Sequence, residues 1–430
     1  MSNKKWYIVV MMLLLSALVL SACGGAETPA EETAVEEPTE EEVVVEEPPT
    51  EEPVVEEEAM PTLIVMADEV TAPVLEGMRD SVAEQVGIEL EIQQVAFGEI
   101  GNQVRVSIPA GEGPDLFITA HDQIGNYIEG GLIAPVNLGD KADQFVESSL
   151  DAFSYGGELY GLPYATENVA LFRNTDLVPE PIETWDDFVA VSQALMDEGT
   201  VVNGTVFPNT NFHIYAIHTA FGGYIFGTDD SGALDPTDVG LDSPGFIASG
   251  EFIQQLVEDG LVPAAADGSA ADAQFIDGQI PFVINGPWAL TSYREGGVPY
   301  SVDPLPSADF PGAPFLGSRG FLVNALSDNA LLAETFLTEF VATDEFMGEL
   351  FAQDPRIPAF IPTLETVDDE DLAGFAAISP IAQPMPNIPE MGAVWDSWGA
   401  AIQIIMNGEQ TPEEALTNAA NQIREAVEAE

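Results

Sequence analysis

From residue 62 onward, short apolar runs bounded by polar residues alternate with stretches in which apolar positions recur at three- and four-residue spacing. The first pattern is that of a buried strand and the second that of an amphipathic helix. Read this way, the chain gives a strand over 62–66, a helix over 72–86, a strand over 89–95, a helix near 100–108 and a strand over 115–120. The order βαβαβ makes a parallel sheet covered by helices, so the fold class is α/β. Further along come a strand over 168–173, a helix opened by Thr184, a helix over 246–259, and strands over 281–284 and 320–324. Thr184 suits an N-cap, and Asp187 adds negative charge to the first turn, where the helix dipole favours it. Beyond 324 the pattern is helical, with helices over 329–341, 343–351, 391–406 and 411–429.

The first sixty residues read differently. Lys4 and Lys5 precede an apolar run over 6–20 and then Leu20-Ser21-Ala22-Cys23-Gly24. A positive start, a short apolar core and small residues before the cut describe an export signal over 1–22, too short for a permanent span. The Leu-Ser-Ala-Cys-Gly stretch resembles the bacterial lipobox, which implies lipidation of Cys23 and attachment to the outer face of a membrane. An ordinary cleaved signal with a chance cysteine is the alternative. Cys23 is the single cysteine of the chain, so no internal disulfide is available and stability must come from buried core. From 23 to 60 the chain is nearly all Glu, Pro, Val, Thr and Ala. Such a segment repels itself and cannot bury a core, so it reads as a solvated tether. About 37 residues of flexible chain reach roughly 30–36 Å. An acidic tail for cations or a basic protein is the other reading of this segment.

The remaining length exceeds what one hydrophobic core usually serves and suggests two lobes. A formal net charge of −64 excludes nucleic acid as a natural partner. Catalytic signatures are missing: there is no phosphate-cradling glycine loop, no serine elbow and no thiol to spare. The three histidines, His121, His213 and His218, lack metal-ligand spacing. Asp186-Asp187 and 368–371 look like solvated helix starts, although a glycosidase pair is their other reading. No enzyme activity, cofactor or metal is therefore expected.

Four separated stretches carry a resemblance. They are 113–127, beginning Gly113-Pro114-Asp115; Asn174 to Pro179 with Glu183-Thr184-Trp185; Phe275 to Gly278 leading to Asn285-Gly286-Pro287-Trp288; and Met385 to Trp395. In this order and spacing they resemble the bacterial maltose/maltodextrin-binding proteins of the family 1 extracellular solute-binding group. The resemblance implies a two-lobed periplasmic-binding fold whose chain crosses between lobes near 165–167, 303–305 and 341–343. Lobe 1 is then 61–165 plus 304–341, and lobe 2 is 168–302 plus 343–430. It also implies the solute-binding component of a carbohydrate ABC importer, which closes on a maltodextrin-like or other oligosaccharide and delivers it to the permease subunits.

A pyranose ring offers hydroxyls that need planar acceptors and C–H faces that need flat aromatic surface. By the resemblance, Asp68, Asp122 and Glu167 are the hydroxyl-binding carboxylates, and Phe212, Trp288 and Trp395 the aromatic shelf. Asp68 and Asp122 follow the first and third strands, at the carboxyl edge where open α/β sheets bind ligands. Helix capping for the two aspartates, a solvated hinge for Glu167 and core packing for the aromatics are the competing readings. The chain also departs from the family pattern. Thr119 stands where a tryptophan is usual, Glu69 where a lysine is, Gln123 and Gly399 where arginines are, and Asp396 where an aromatic is common. Stacking surface and positive donors are lost while acceptors remain, which puts maltose itself in doubt. Trp398 is expected to supply replacement stacking. A secreted carbohydrate-active enzyme and a metal- or peptide-binding receptor of similar shape remain the alternatives.

Overall fold

The computed structural model describes residues 60–207, 211–229, 231–265 and 268–429. The export signal, Cys23 and the tether up to residue 59 lie outside the described residues. The chain opens with β1 (Thr62–Ala67), α1 (Thr71–Val86), β2 (Glu89–Gln94), α2 (Phe97–Ala110) and β3 (Leu116–Ala120). It continues through β4 (Leu162–Glu167), β5 (Ala170–Asn174), α3 (Trp185–Asp197), α4 (Asn211–Ala220), α5 (Pro244–Glu258), α6 (Gly268–Ile276), β6 (Phe282–Asn285), β7 (Tyr300–Asp303) and β8 (Phe315–Asn324). The elements after these are α7 (Ala330–Phe336), α8 (Asp344–Gln353), the short strand β9 (Ile357–Pro358), α9 (Glu370–Ile378), α10 (Met391–Met406) and α11 (Pro412–Ala429).

Two main sheets result. In the first, the order is β9-β4-β8-β3-β1-β2, with β1 parallel to β2 and β3, and β8 antiparallel to β3 and β4. In the second, β5 lies between β6 and β7, antiparallel to both. Side chains of a strand alternate between faces, so burial of both faces requires apolar residues at successive positions. β1 meets that demand: Leu63, Val65 and Ala67 pack with Val74, Leu75 and Phe336, while Met66 packs on the other side with Ile100, Val104 and Phe117. β5 repeats it, with Leu171 in the core beneath α4, α5 and α10 and Phe172 in the core with Phe275, Tyr293 and Phe375. The architecture is mixed α/β with two lobes, each built on a sheet covered on both faces.

Local signals account for several boundaries. Thr184 Oγ1 accepts from the Asp187 amide at 3.1 Å, and the Asp187 carboxylate accepts from the Thr184 amide at 3.1 Å, a capping box that starts α3. Helix α4 gave no periodic signal in the sequence because every residue from His213 to Ala220 is buried. A helix enclosed all round has no polar stripe to mark its period. Residues 344–360, assigned to lobe 2 by the sequence reading, pack elsewhere: Phe346, Met347, Leu350, Ala359 and Phe360 join the β1 core. The physical reason is the pairing of β9 with β4, which holds this segment on the first sheet.

Trp398 is another difference. It is fully enclosed, stacks near-parallel on Trp395 at 5.9 Å between ring centres, and faces the interior of the second lobe. It therefore supplies core packing and no stacking surface for a ligand. Its Nε1 donates to His218 Nε2 at 3.3 Å, so His218 Nδ1 carries the proton and donates to Ser249 Oγ at 2.6 Å. Burial pushes the His218 pKa down to about 3, against about 6.5 in an unfolded chain. The fold holds the neutral ring, so this stabilisation is complete above pH 6.5 and is lost as pH falls toward 3. Urea unfolding at pH 7 and pH 5 is expected to show the parent losing about 2 kcal/mol more than His218→Asn over that interval. Equal losses in parent and variant would show that His218 is protonated inside the fold.

Candidate functional site

Asp68 and Asp122 follow the carboxyl ends of the neighbouring parallel strands β1 and β3, one and two residues beyond them respectively. Glu167 is the last residue of β4, and the β4–β8 register sets it opposite Gly317. All three are buried. None is a bare acceptor. Asp68 caps the start of α1 by accepting from the Val70 and Thr71 amides at 3.0 and 2.8 Å, and its other oxygen pairs with Arg319 of β8. Glu167 pairs with Arg356, whose Nε also contacts Asp354 at 2.6 Å. Asp122 accepts from Trp395 Nε1 at 3.0 Å and from Gln123 at 2.6 Å.

Burial alone would raise the Asp68 carboxyl. The Arg319 guanidinium, the Thr71 amide and then Arg356 more than reverse that and hold it below the usual carboxylate range. These charges share one enclosed neighbourhood, because Tyr164 feels Arg319, Asp354, Arg356 and Asp68 together. Its hydroxyl is pushed up to about 12, chiefly by burial.

The aromatic candidates sit on the second lobe and remain only partly buried. Trp288 follows β6 and lies flat against Gly286, where a Cβ would come within 2.1 Å of the indole. Only glycine permits that approach. The Arg356 guanidinium stands 5.5 Å from the indole centre, and His213 meets the ring edge-on at 5.6 Å. Phe212 lies 6.1 Å from Trp288 and 6.1 Å from Phe315, and Phe315 lies 6.0 Å from Trp395. Glu167, Arg356, Trp288, Phe212, Phe315, Trp395 and Asp122 thus form one unbroken series of contacts. Asp68 is tied to it through the charges of Arg356 and Arg319. The structure joins five of the six candidate residues by direct contacts, with Asp122 and Glu167 reaching toward the aromatic rings, while Asp68 is linked to them only through the charges of Arg319 and Arg356.

Sequence reasoning overlooked Arg319, Arg356, Asp354 and Phe315. A signal was present for the arginines. The chain carries 10 basic residues against 74 acidic ones, and Arg319 sits inside the apolar run of β8, where an unpaired charge is not tolerated. A cavity of about 440 Å3 lies beside the strand crossing, with His121, Thr166, Gly317, Ser318, Met385 and Asn387 in its lining. Gly317, which pairs with Glu167 in the β4–β8 register, and His121, which precedes Asp122, both line this cavity, so it adjoins the candidate residues.

The chain has relatives among known proteins. It is 33% identical over 319 residues to a maltotriose-binding protein of Pyrococcus abyssi, covering 72% of this chain and 69% of that protein. It is 27% identical to a galactooligosaccharide-binding protein of Bacillus subtilis, covering 82% and 87%. It is also 25% identical to a maltooligosaccharide ABC transporter solute-binding lipoprotein of Streptococcus pneumoniae, covering 96% and 95%. Residues 78–373 match the family described as bacterial extracellular solute-binding protein. With most of its length matched and its buried acceptors set against aromatic rings, the chain belongs to the bacterial extracellular solute-binding protein family.

Proposed function

We propose that this protein binds a neutral oligosaccharide, of malto- or galacto-type, between its two lobes and hands it to the permease subunits of an ABC importer without chemical change. The observation that carries the reading is the continuous array of buried carboxylates and partly exposed aromatic rings, the two surfaces a pyranose needs at once. Asp68, Asp122 and Glu167 orient hydroxyls; Phe212, Trp288 and Trp395 cover C–H faces. Three carboxylates, Asp68, Asp122 and Glu167, meet two guanidinium groups here, while burial pushes the carboxyl of Asp354 up to about 7. That balance repels a uronate and suits a neutral sugar. The functions named for the relatives support the sugar class. The export signal and the Cys23 lipobox support a lipid-anchored, extracytoplasmic placement with the acidic segment as tether.

The packing also supports revised lobe bounds: 61–165 with 315–360 on the first sheet, and 168–303 with 370–429 on the second. Closure of these lobes on the sugar is the proposed working motion. Maltotriose, longer maltodextrins and galactooligosaccharides are expected to raise the melting temperature, since ligand at a hundred times Kd adds about 2.7 kcal/mol. Small-angle scattering of the same samples is expected to give a smaller radius of gyration with ligand. A glycan screen with no melting shift, or a product peak after incubation with oligosaccharide, would overturn the reading.

A further inference from the structure

The aromatic candidates all pack on the second lobe, whereas Asp68 lies on the first sheet, so a sugar held by Asp68 needs a flat apolar surface from its own side of the site. Thr119 provides none, being a small, buried residue of β3. Phe97 stands at the right place. It is the first residue of α2, just past the carboxyl end of β2, and β2 neighbours the β1 strand that ends beside Asp68. The Phe97 amide donates to Glu69 Oε2 at 3.1 Å. Glu69 thereby fixes the first turn of α2 next to Asp68.

The ring itself is held by charge. The Arg319 guanidinium carbon lies 4.0 Å from the Phe97 ring centre, and the same guanidinium is paired with Asp68. A cation that close covers one face of the ring and gains from its quadrupole. Phe97 nevertheless stays only half-buried, at the margin of the core formed by Met66, Ile100 and Phe117. Two polar atoms of the same neighbourhood, Arg319 Nε and Tyr164 Oη, are buried without a hydrogen-bond partner among the described residues. Asp68, Arg319 and Phe97 thus present an acceptor, a donor and a flat ring as one fixed unit, the combination a pyranose requires.

We propose that Phe97 is a ligand-contacting residue, the first-lobe counterpart of Trp288 and Trp395, stacking on a sugar ring whose hydroxyls engage Asp68. The proposal rests on the oligosaccharide reading above and names where on the first lobe that sugar lies. Arg319 acts as the positioning residue that orients both Phe97 and Asp68.

The test is calorimetric titration of the full-length protein with maltotriose and with galactooligosaccharide, using Phe97→Ala, Phe97→Leu and Phe97→Tyr. Loss of stacking is expected to weaken binding about tenfold in the Ala and Leu variants, while Tyr stays within about threefold of the parent. Melting of the unliganded Leu and Tyr variants is expected to match, because both keep apolar bulk at the core margin. If Leu binds as the parent does, the ring supplies bulk and no stacking, and the proposal falls. If the parent itself binds neither sugar, it is the oligosaccharide reading that fails, and this proposal with it.

Discussion

Arg356→Met is expected to lower the unfolding free energy by about 3–5 kcal/mol, the usual consequence of removing one partner from a buried ion pair. Arg356 is 3% exposed and answers two buried acidic side chains at once, Glu167 and the more deeply enclosed Asp354. Methionine fills similar volume, so little of the loss comes from packing. What remains is the Glu167 carboxylate in a low-dielectric interior with no cation in contact, beside Asp354, whose carboxyl burial already pushes up to about 7, a far worse state than exposure in the unfolded chain. Urea unfolding at pH 7 measures the effect. Adding Glu167→Gln to Arg356→Met is expected to restore part of the loss by removing one stranded charge. A single-variant loss below about 1 kcal/mol would mean that the cluster is solvated and that Arg356 is not needed to hold Glu167.

Trp398→Ala and Trp395→Ala are expected to separate folding from binding, although the two side chains stack on each other and lie three residues apart on α10. Trp398 is fully enclosed among Phe246, Tyr215 and His218, and its loss should cost about 3–5 kcal/mol of stability. It should leave the affinity of the remaining folded protein nearly unchanged. Trp395 is partly exposed and donates to Asp122 at 3.0 Å. Truncating it removes ring surface and one of the two donors to the Asp122 carboxylate, so maltotriose affinity should fall about ten- to a hundredfold. The accompanying loss of stability should be less than half that of Trp398→Ala. Parallel denaturation and calorimetry on both variants decide the matter; equal stability losses would place Trp395 in the core.

Much of the fold was legible before any coordinates. The βαβαβ start, the Thr184 capping box and the helices over 391–406 and 411–429 all depend on neighbours a few residues away, so the chain announces them locally. The candidate acceptors and aromatics were carried by motif resemblance, which identifies positions without saying what each side chain touches. Trp398 shows that limit. A three-residue step along a helix turns a side chain far enough to move it from the site into the core, and sequence spacing alone does not say which of the two residues points inward.

The sequence by itself determined the class of fold, the absence of internal disulfides, the acidity that excludes nucleic acid, and the family. Those properties follow from composition, local periodicity and order of motifs. Only the tertiary structure decided that Asp68 and Glu167 are each met by an arginine more than 180 residues away in the chain, Arg319 at a separation of 251 and Arg356 at 189. It likewise decided that residues 344–360 belong to the first sheet, through pairing of β9 with β4. Contacts at such separations are fixed by strand register and by the cost of leaving a charge unpaired in the interior, and neither quantity exists until the sheets have assembled.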